Sequence, residues 1–184
     1  MRTKLKLLIL MSLVSLLVVV PVFGACGAPS EKPLTDLVIK LDWVEPVAMA
    51  AKSYDPPKSL AGEYGTFHVI LTISNPNDML VTVESMEFEA WGNDIGMGIL
   101  QTDGPIYIPA GKEVTVRFPV TLNSLLMIKE VVMLKHVSVP DGVKMLLGTW
   151  QDIKDGKAPF RIKGGAQVVA GSTSRFQNFD LRWP

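Results

Sequence analysis

The residues able to do chemistry are few and scattered. A chain of 184 residues holds two histidines, His68 and His136, and one cysteine, Cys26. Metal-ligating imidazoles come at short, fixed spacings, and these two do not. His68 falls on the polar side of an alternating run, and His136 ends a helical one, where a cation suits the helix dipole. Ser172 and Ser174 lack the strand–turn–helix setting of an activated serine. Asp152, Asp155 and Gly156 form a charged turn without the spacing of a calcium loop. Gly164-Gly165 and Gly171 precede no phosphate-loop lysine. Met79, Met86, Met97, Met127 and Met133 are spread over apolar faces and read as core filling rather than copper capture. No enzymatic activity, cofactor or metal ion is expected.

Cys26 is the exception. Arg2, Lys4 and Lys6 precede an uncharged run from Leu7 to Val20, and Pro21-Val-Phe-Gly-Ala-Cys26 follows. Basic, then apolar, then small describes a secretory signal over residues 1–25. The run is shorter than the roughly 20 apolar residues of a spanning helix. Phe23-Gly24-Ala25-Cys26 resembles the lipobox of bacterial lipoproteins, with Phe23 where an aliphatic residue is usual. The resemblance implies cleavage before Cys26, a diacylglycerol on its thiol and acylation of the new amino group. A lone cysteine in an exported chain has no internal partner, which fits attachment to lipid. The expected partner is thus a membrane, reached on its extracytoplasmic side through Cys26, with residues 26–35 as a small, polar, proline-bearing tether.

Loss of residues 1–25 leaves fifteen basic and eighteen acidic side chains. A nucleic-acid surface is basic, so no nucleic-acid partner is expected. The expected state is a monomer, with an envelope protein as the possible further partner.

The elements that must position these residues alternate with period two. Leu37, Ile39, Leu41 and Trp43 share one face of a strand that Pro46 closes, and residues 47–65 read as a loop. Phe67, Val69, Leu71 and Ile73 form a second strand ending at Asn75-Pro76-Asn77-Asp78. That cluster is expected to be a structural turn, setting the register of the strands it joins. Val81 and Val83 then give way to Met86, Phe88 and Ala90, a change of phase that predicts a bulge or a bend. Trp91-Gly-Asn-Asp94 is a turn, and Ile95–Leu100 a short strand. Pro109-Ala-Gly111-Lys is a tight turn into Val114, Val116, Phe118 and Val120, a strand that Pro119 places at an edge or else with its proline facing away from a partner. Asn123-Ser124 caps a helix to about His136, apolar nearly all round, which reads as burial on more than one side, with docking on a membrane or a partner as the alternative. Val139-Pro-Asp-Gly142 reads as a turn, and strands are expected near Phe160–Lys163 and Phe176–Trp183. About seven short strands with one inserted helix, over residues 36–184, indicate an all-β antiparallel sandwich.

Four features in this order resemble the water-stress and hypersensitive-response domain of type 2 late-embryogenesis-abundant proteins. They are the strand into Asn75-Pro76-Asn77, the strand into Gly92-Asn-Asp94, the segment Ile95-Gly-Met-Gly98, and Ile108-Pro109-Ala-Gly111 leading into an alternating strand. The resemblance implies an immunoglobulin-like or fibronectin-like sandwich and a role in protection against drying or osmotic stress rather than catalysis.

Overall fold

In this chain alternating β-branched and aromatic residues make strands, and two apolar stretches at helical spacing make helices. The computed structural model describes residues 33–49 and 64–183. The expected signal, Cys26 and most of the tether lie outside the described residues, as does most of the expected loop at 47–65. The chain divides into Met1–Pro33 and Leu34–Pro184, and every element below belongs to the second unit.

The elements run β1 (Val38–Met49), β2 (Tyr64–Ser74), β3 (Val81–Gly92), β4 (Ile95–Gln101), β5 (Ile106–Ile108) and β6 (Glu113–Asn123), then α1 (Ser124–Lys135), α2 (Val139–Lys154), β7 (Phe160–Ala170) and β8 (Thr173–Trp183). One sheet has the order β1-β2-β6; the other has β4-β3-β7-β8, with β5 also paired to β3. All pairs are antiparallel. The two sheets meet face to face in a β-sandwich. Phe67 of the first packs edge-on against Phe160 of the second, ring centres 5.8 Å apart. Phe118 meets Phe88 in the same way at 4.9 Å.

Phe67, Val69, Leu71 and Ile73 are all fully buried, as their alternation requires. The change of phase in β3 is a register shift between Val83 and Ser85 against β7. It lets Val81 and Val83 share the interior with Met86, Phe88 and Ala90. β6 lies at an edge, so Pro119 is tolerated there.

Among the expected strands and helices, four readings differ from the structure. Trp43 does not continue the inward row of β1, because a register shift between Leu41 and Trp43 turns Val44 inward instead. Pro46 does not close that strand. β1 is an edge, and a second shift between Pro46 and Ala48 carries it to Met49. The short β5 is an additional strand, bringing the count to eight among the described residues. Val139-Pro-Asp-Gly142 opens a second helix rather than forming a turn. Ser138 is its N-cap, accepting from the Asp141 amide at 3.3 Å, and Pro140 fits the first turn, where its missing N–H costs nothing. Val143, Leu146, Trp150 and Ile153 are the buried side of this helix. Trp150 closes one end of the sandwich, its ring against Gly65.

Glycine is required where strands crowd. A Cβ on Gly164 would stand 2.1 Å from the Glu87 carbonyl oxygen of the neighbouring strand, whereas one on Gly165 would meet only the ring of exposed Phe176. Backbone cannot swing aside; an exposed ring can. Gly164→Ala should therefore lower stability by about 3 kcal/mol or more, and Gly165→Ala by about 1 or less, in denaturant titrations of the two variants.

Candidate functional site

Two segments cross between the sheets at the end opposite Trp150. Residues 75–80 lead from β2 to β3, and residues 109–112 lead from β5 to β6. Crossings of this kind leave backbone groups with no ladder partner, and in a buried place those groups must be satisfied otherwise. Asn75 does this. It is 2 % exposed, and its Nδ2 lies 2.8 Å from the Met79 carbonyl oxygen, 3.0 Å from that of Ile108 and 3.2 Å from that of Pro109. Its Oδ1 accepts from the backbone N–H of Asn77 at 2.9 Å and from Asn77 Nδ2 at 3.0 Å. The Asn75 amide donates to the Lys112 carbonyl at 2.8 Å, and the Gly111 amide to that of Asn77 at 3.1 Å. Gly111 has φ 62°, left-handed backbone that favours glycine.

Asn77 reaches the start of the domain. Its Oδ1 accepts from the Thr35 amide at 2.8 Å, and its Nδ2 donates to the Thr35 carbonyl at 3.0 Å. One carboxamide thus mimics a strand partner for the segment entering β1. Asn75, Pro76, Asn77, Pro109 and Gly111 therefore stand together at one end of the fold. The expected register role is corrected: β2 and β3 lie in different sheets, so this arch links layers instead of aligning a ladder. Pro76 is exposed and acts through its fixed φ.

A second carboxamide, unremarked in the sequence, joins the sheets along their side. Gln177 of β8 accepts from the Leu37 amide at 2.9 Å and donates to the Leu37 carbonyl at 2.7 Å. Arg175 pairs with Asp36 at 2.5 Å on one side of this tie, and Trp43 packs edge-on against Trp183 at 5.0 Å on the other. Only non-local pairing reveals Gln177; nothing local marks it.

The titratable residues are dispersed. His68 Nδ1 is 3.3 Å from Glu45 Oε2 on an outer face, with Arg117 Nε at 4.0 Å from the same oxygen. His136 caps α1 in left-handed conformation. Asp152 accepts from Asn93 Nδ2 at 2.9 Å, and Asp155 caps α2, so both serve local structure. Arg161 grips Asp180 through Nε and Nη2 at 2.8 and 2.6 Å, beneath the Trp91 ring. Those hydrogen bonds hold the Asp180 carboxyl below its usual range and raise Arg161. A depressed carboxyl contributes stability above its unfolded pKa and loses it as pH falls through the folded value. This exposed pair therefore loses its contribution as pH falls below the ordinary carboxylate range. Among the described residues, no three His, Cys, Asp or Glu side chains are grouped to hold a metal ion.

By class the described residues form an antiparallel β-sandwich tied by an arch and a clasp. The particular family follows from the sequence match. The chain belongs to the late embryogenesis abundant (LEA type 2) family, whose model matches residues 71–181, more than half of it. No curated protein matches. Among solved structures, a protein from Archaeoglobus fulgidus is 12 % identical, with 78 % of this chain and 94 % of that one covered and a TM-score of 0.42. AT1g01470 from Arabidopsis thaliana is 10 % identical, with 82 % and 85 % covered and a TM-score of 0.40. A β-sandwich protein from Clostridium difficile 630 is 11 % identical, with 80 % and 81 % covered and a TM-score of 0.26. The family assignment rests on the sequence match.

The arch yields a graded expectation. Asn75→Ala should cost on the order of 3 kcal/mol, because it leaves buried carbonyls without a donor. Asn75→Asp should cost more, since it sets a carboxylate against three carbonyl oxygens. Pro76→Gly should cost about 1 kcal/mol or less, through unfolded-chain entropy. Thermal unfolding of the three variants checks the order.

Proposed function

We propose that this protein is a non-enzymatic, lipid-anchored envelope protein whose LEA type 2 domain protects against drying or osmotic stress or maintains the envelope. The observation that carries the reading is the order of basic residues, apolar run and Gly24-Ala25-Cys26, placed a few residues before the unit that begins at Leu34 and contains the family match at 71–181. Residues 1–25 act as the signal and Cys26 carries the lipid on the extracytoplasmic side. Residues 27–33 are the tether, which enters the fold at Thr35, against Asn77.

Protection by this domain differs from that of a disordered shield. Its apolar residues are committed to a core shared by both sheets, so it acts as a folded body. Acyl chains hold it at the bilayer, at about 0.8 kcal/mol per buried methylene. Tethering raises its local concentration there without any strong contact. A second reading, an adaptor in an envelope complex, is favoured by exposed Leu126, Met133 and Leu134 on α1.

Mass spectrometry of the protein extracted from its native membrane should find a chain beginning at Cys26 with lipid attached. A chain beginning at Met1, or a bare thiol, would refute the anchor. A deletion strain should survive drying and osmotic shock less well than its parent. A Cys26→Ser form, exported by a signal that needs no acylation, should fold and yet fail to restore survival. Full rescue by that form at matched abundance would replace membrane-local protection with a soluble role.

A further inference from the structure

Helix α1 buries Met127, Ile128 and Val131 against its own domain, yet its opposite side is also apolar. Leu125, Leu126, Met133 and Leu134 are 53–65 % exposed. Between these two apolar pairs stand Lys129 and Glu130, both exposed. Neither forms an ion pair with any described residue; the Glu130 carboxylate leans over Gly96 of β4, an exposed rotamer that must swing outward to meet a cation from another molecule. A helix that is apolar all round is ordinarily buried all round.

The order of this outer side is the informative part. It reads Leu-Leu, Lys-Glu, Met-Leu, at successive four-residue steps, and it is symmetric about the bond between 129 and 130. Turned end for end about that point, apolar pairs meet apolar pairs and Lys129 meets Glu130. The charge arrangement is therefore its own complement under a two-fold rotation, the requirement for an isologous contact. The side chains also form two rows, 125-129-133 and 126-130-134. Rows of i, i+4 residues are the ridges by which two helices interdigitate, at interaxial angles near about 50°.

We infer that the outer face of α1 is a self-association site, taking the α1 of a second copy of this chain in antiparallel register, with each Lys129 opposite the Glu130 of the other copy. The monomer expected from the sequence is thereby replaced by a two-fold dimer. A bilayer surface does not account for the face as well: the central pair has no net charge, and insertion would bury both charges unpaired. The inference stands on α1 alone and does not depend on lipid at Cys26.

The test uses the full chain extracted in mild detergent and measured by sedimentation velocity at micromolar concentration. The natural chain should sediment as a dimer. Lys129→Glu and Glu130→Lys should each weaken association by roughly tenfold, because each sets like charges opposite one another at two places. Mixing the two variants in equal amounts should restore the dimer, since every facing pair is then of opposite sign. That recovery also shows that both variants are folded. A natural chain that stays monomeric would overturn the inference, as would variants that associate unchanged, or a mixture no stronger than its parts. So would a monomer that binds vesicles of anionic phospholipid more tightly as Glu130→Lys and less tightly as Lys129→Glu, which would give the face to a lipid surface.

Discussion

Every sandwich must carry its chain from one sheet to the other, and each crossing strips peptide groups of their ladder partners. The carboxamide of Asn75 meets this constraint here. It is one of the few polar side chains buried in the domain, and it serves both arches at once. Because β2, β3, β5 and β6 are all set by those arches, the spacing of the two layers at this end follows from one side chain. The opposite end is closed by different chemistry. There Trp150, carried on α2, covers Gly65 with an aromatic ring, and Asn93 binds Asp152. One end is thus held by hydrogen bonds of fixed direction and the other mainly by apolar contact. Directional bonds fail when a donor is lost, whereas apolar contact yields by degrees.

Side chains that imitate backbone recur in this fold. Asn77 offers Thr35 a donor and an acceptor, and Gln177 offers Leu37 the same pair. Each carboxamide has the spacing of a peptide group and completes a short piece of ladder where no strand is present. The segment entering β1 therefore has single residues as its partners, at Thr35 and Leu37, just before the ladder to β2 begins at Val38. An edge that would otherwise invite another chain is partly covered in this way.

Much of this was legible in the order of residues, and the exceptions have physical reasons. The alternation in β2 and the change of phase in β3 state directly which side chains face inward, and both hold. The α1 boundaries were legible because Asn123 caps it in a recognisable way. Helix α2 was hidden because Val139-Pro-Asp-Gly142 carries turn chemistry and helix-start chemistry together. The spacing of Val143, Leu146, Trp150 and Ile153 decides between them. Trp43 was misplaced because a bulge leaves no mark in a short alternating run. Asn75 and Asn77 were visible as turn residues, but the carbonyls they serve come from Ile108, Pro109 and Thr35. Gln177 had no local signal at all. Sites made by pairing distant segments are invisible until the pairing is known.

The clasp between Leu37 and Gln177 also has a mechanical meaning. A pull on residue 33 enters the fold through three adjacent attachments: Thr35 to Asn77, Asp36 to Arg175, and Leu37 to Gln177. The first links the incoming segment to the arch between β2 and β3 and the other two link it to β8, so tension is shared with the second sheet before it reaches the β1–β2 ladder. That ladder runs along β1, and a load directed along the strand shears its bonds together instead of opening them singly. The first few residues of the domain thus serve as a strain relief, like the collar where a cable enters its housing.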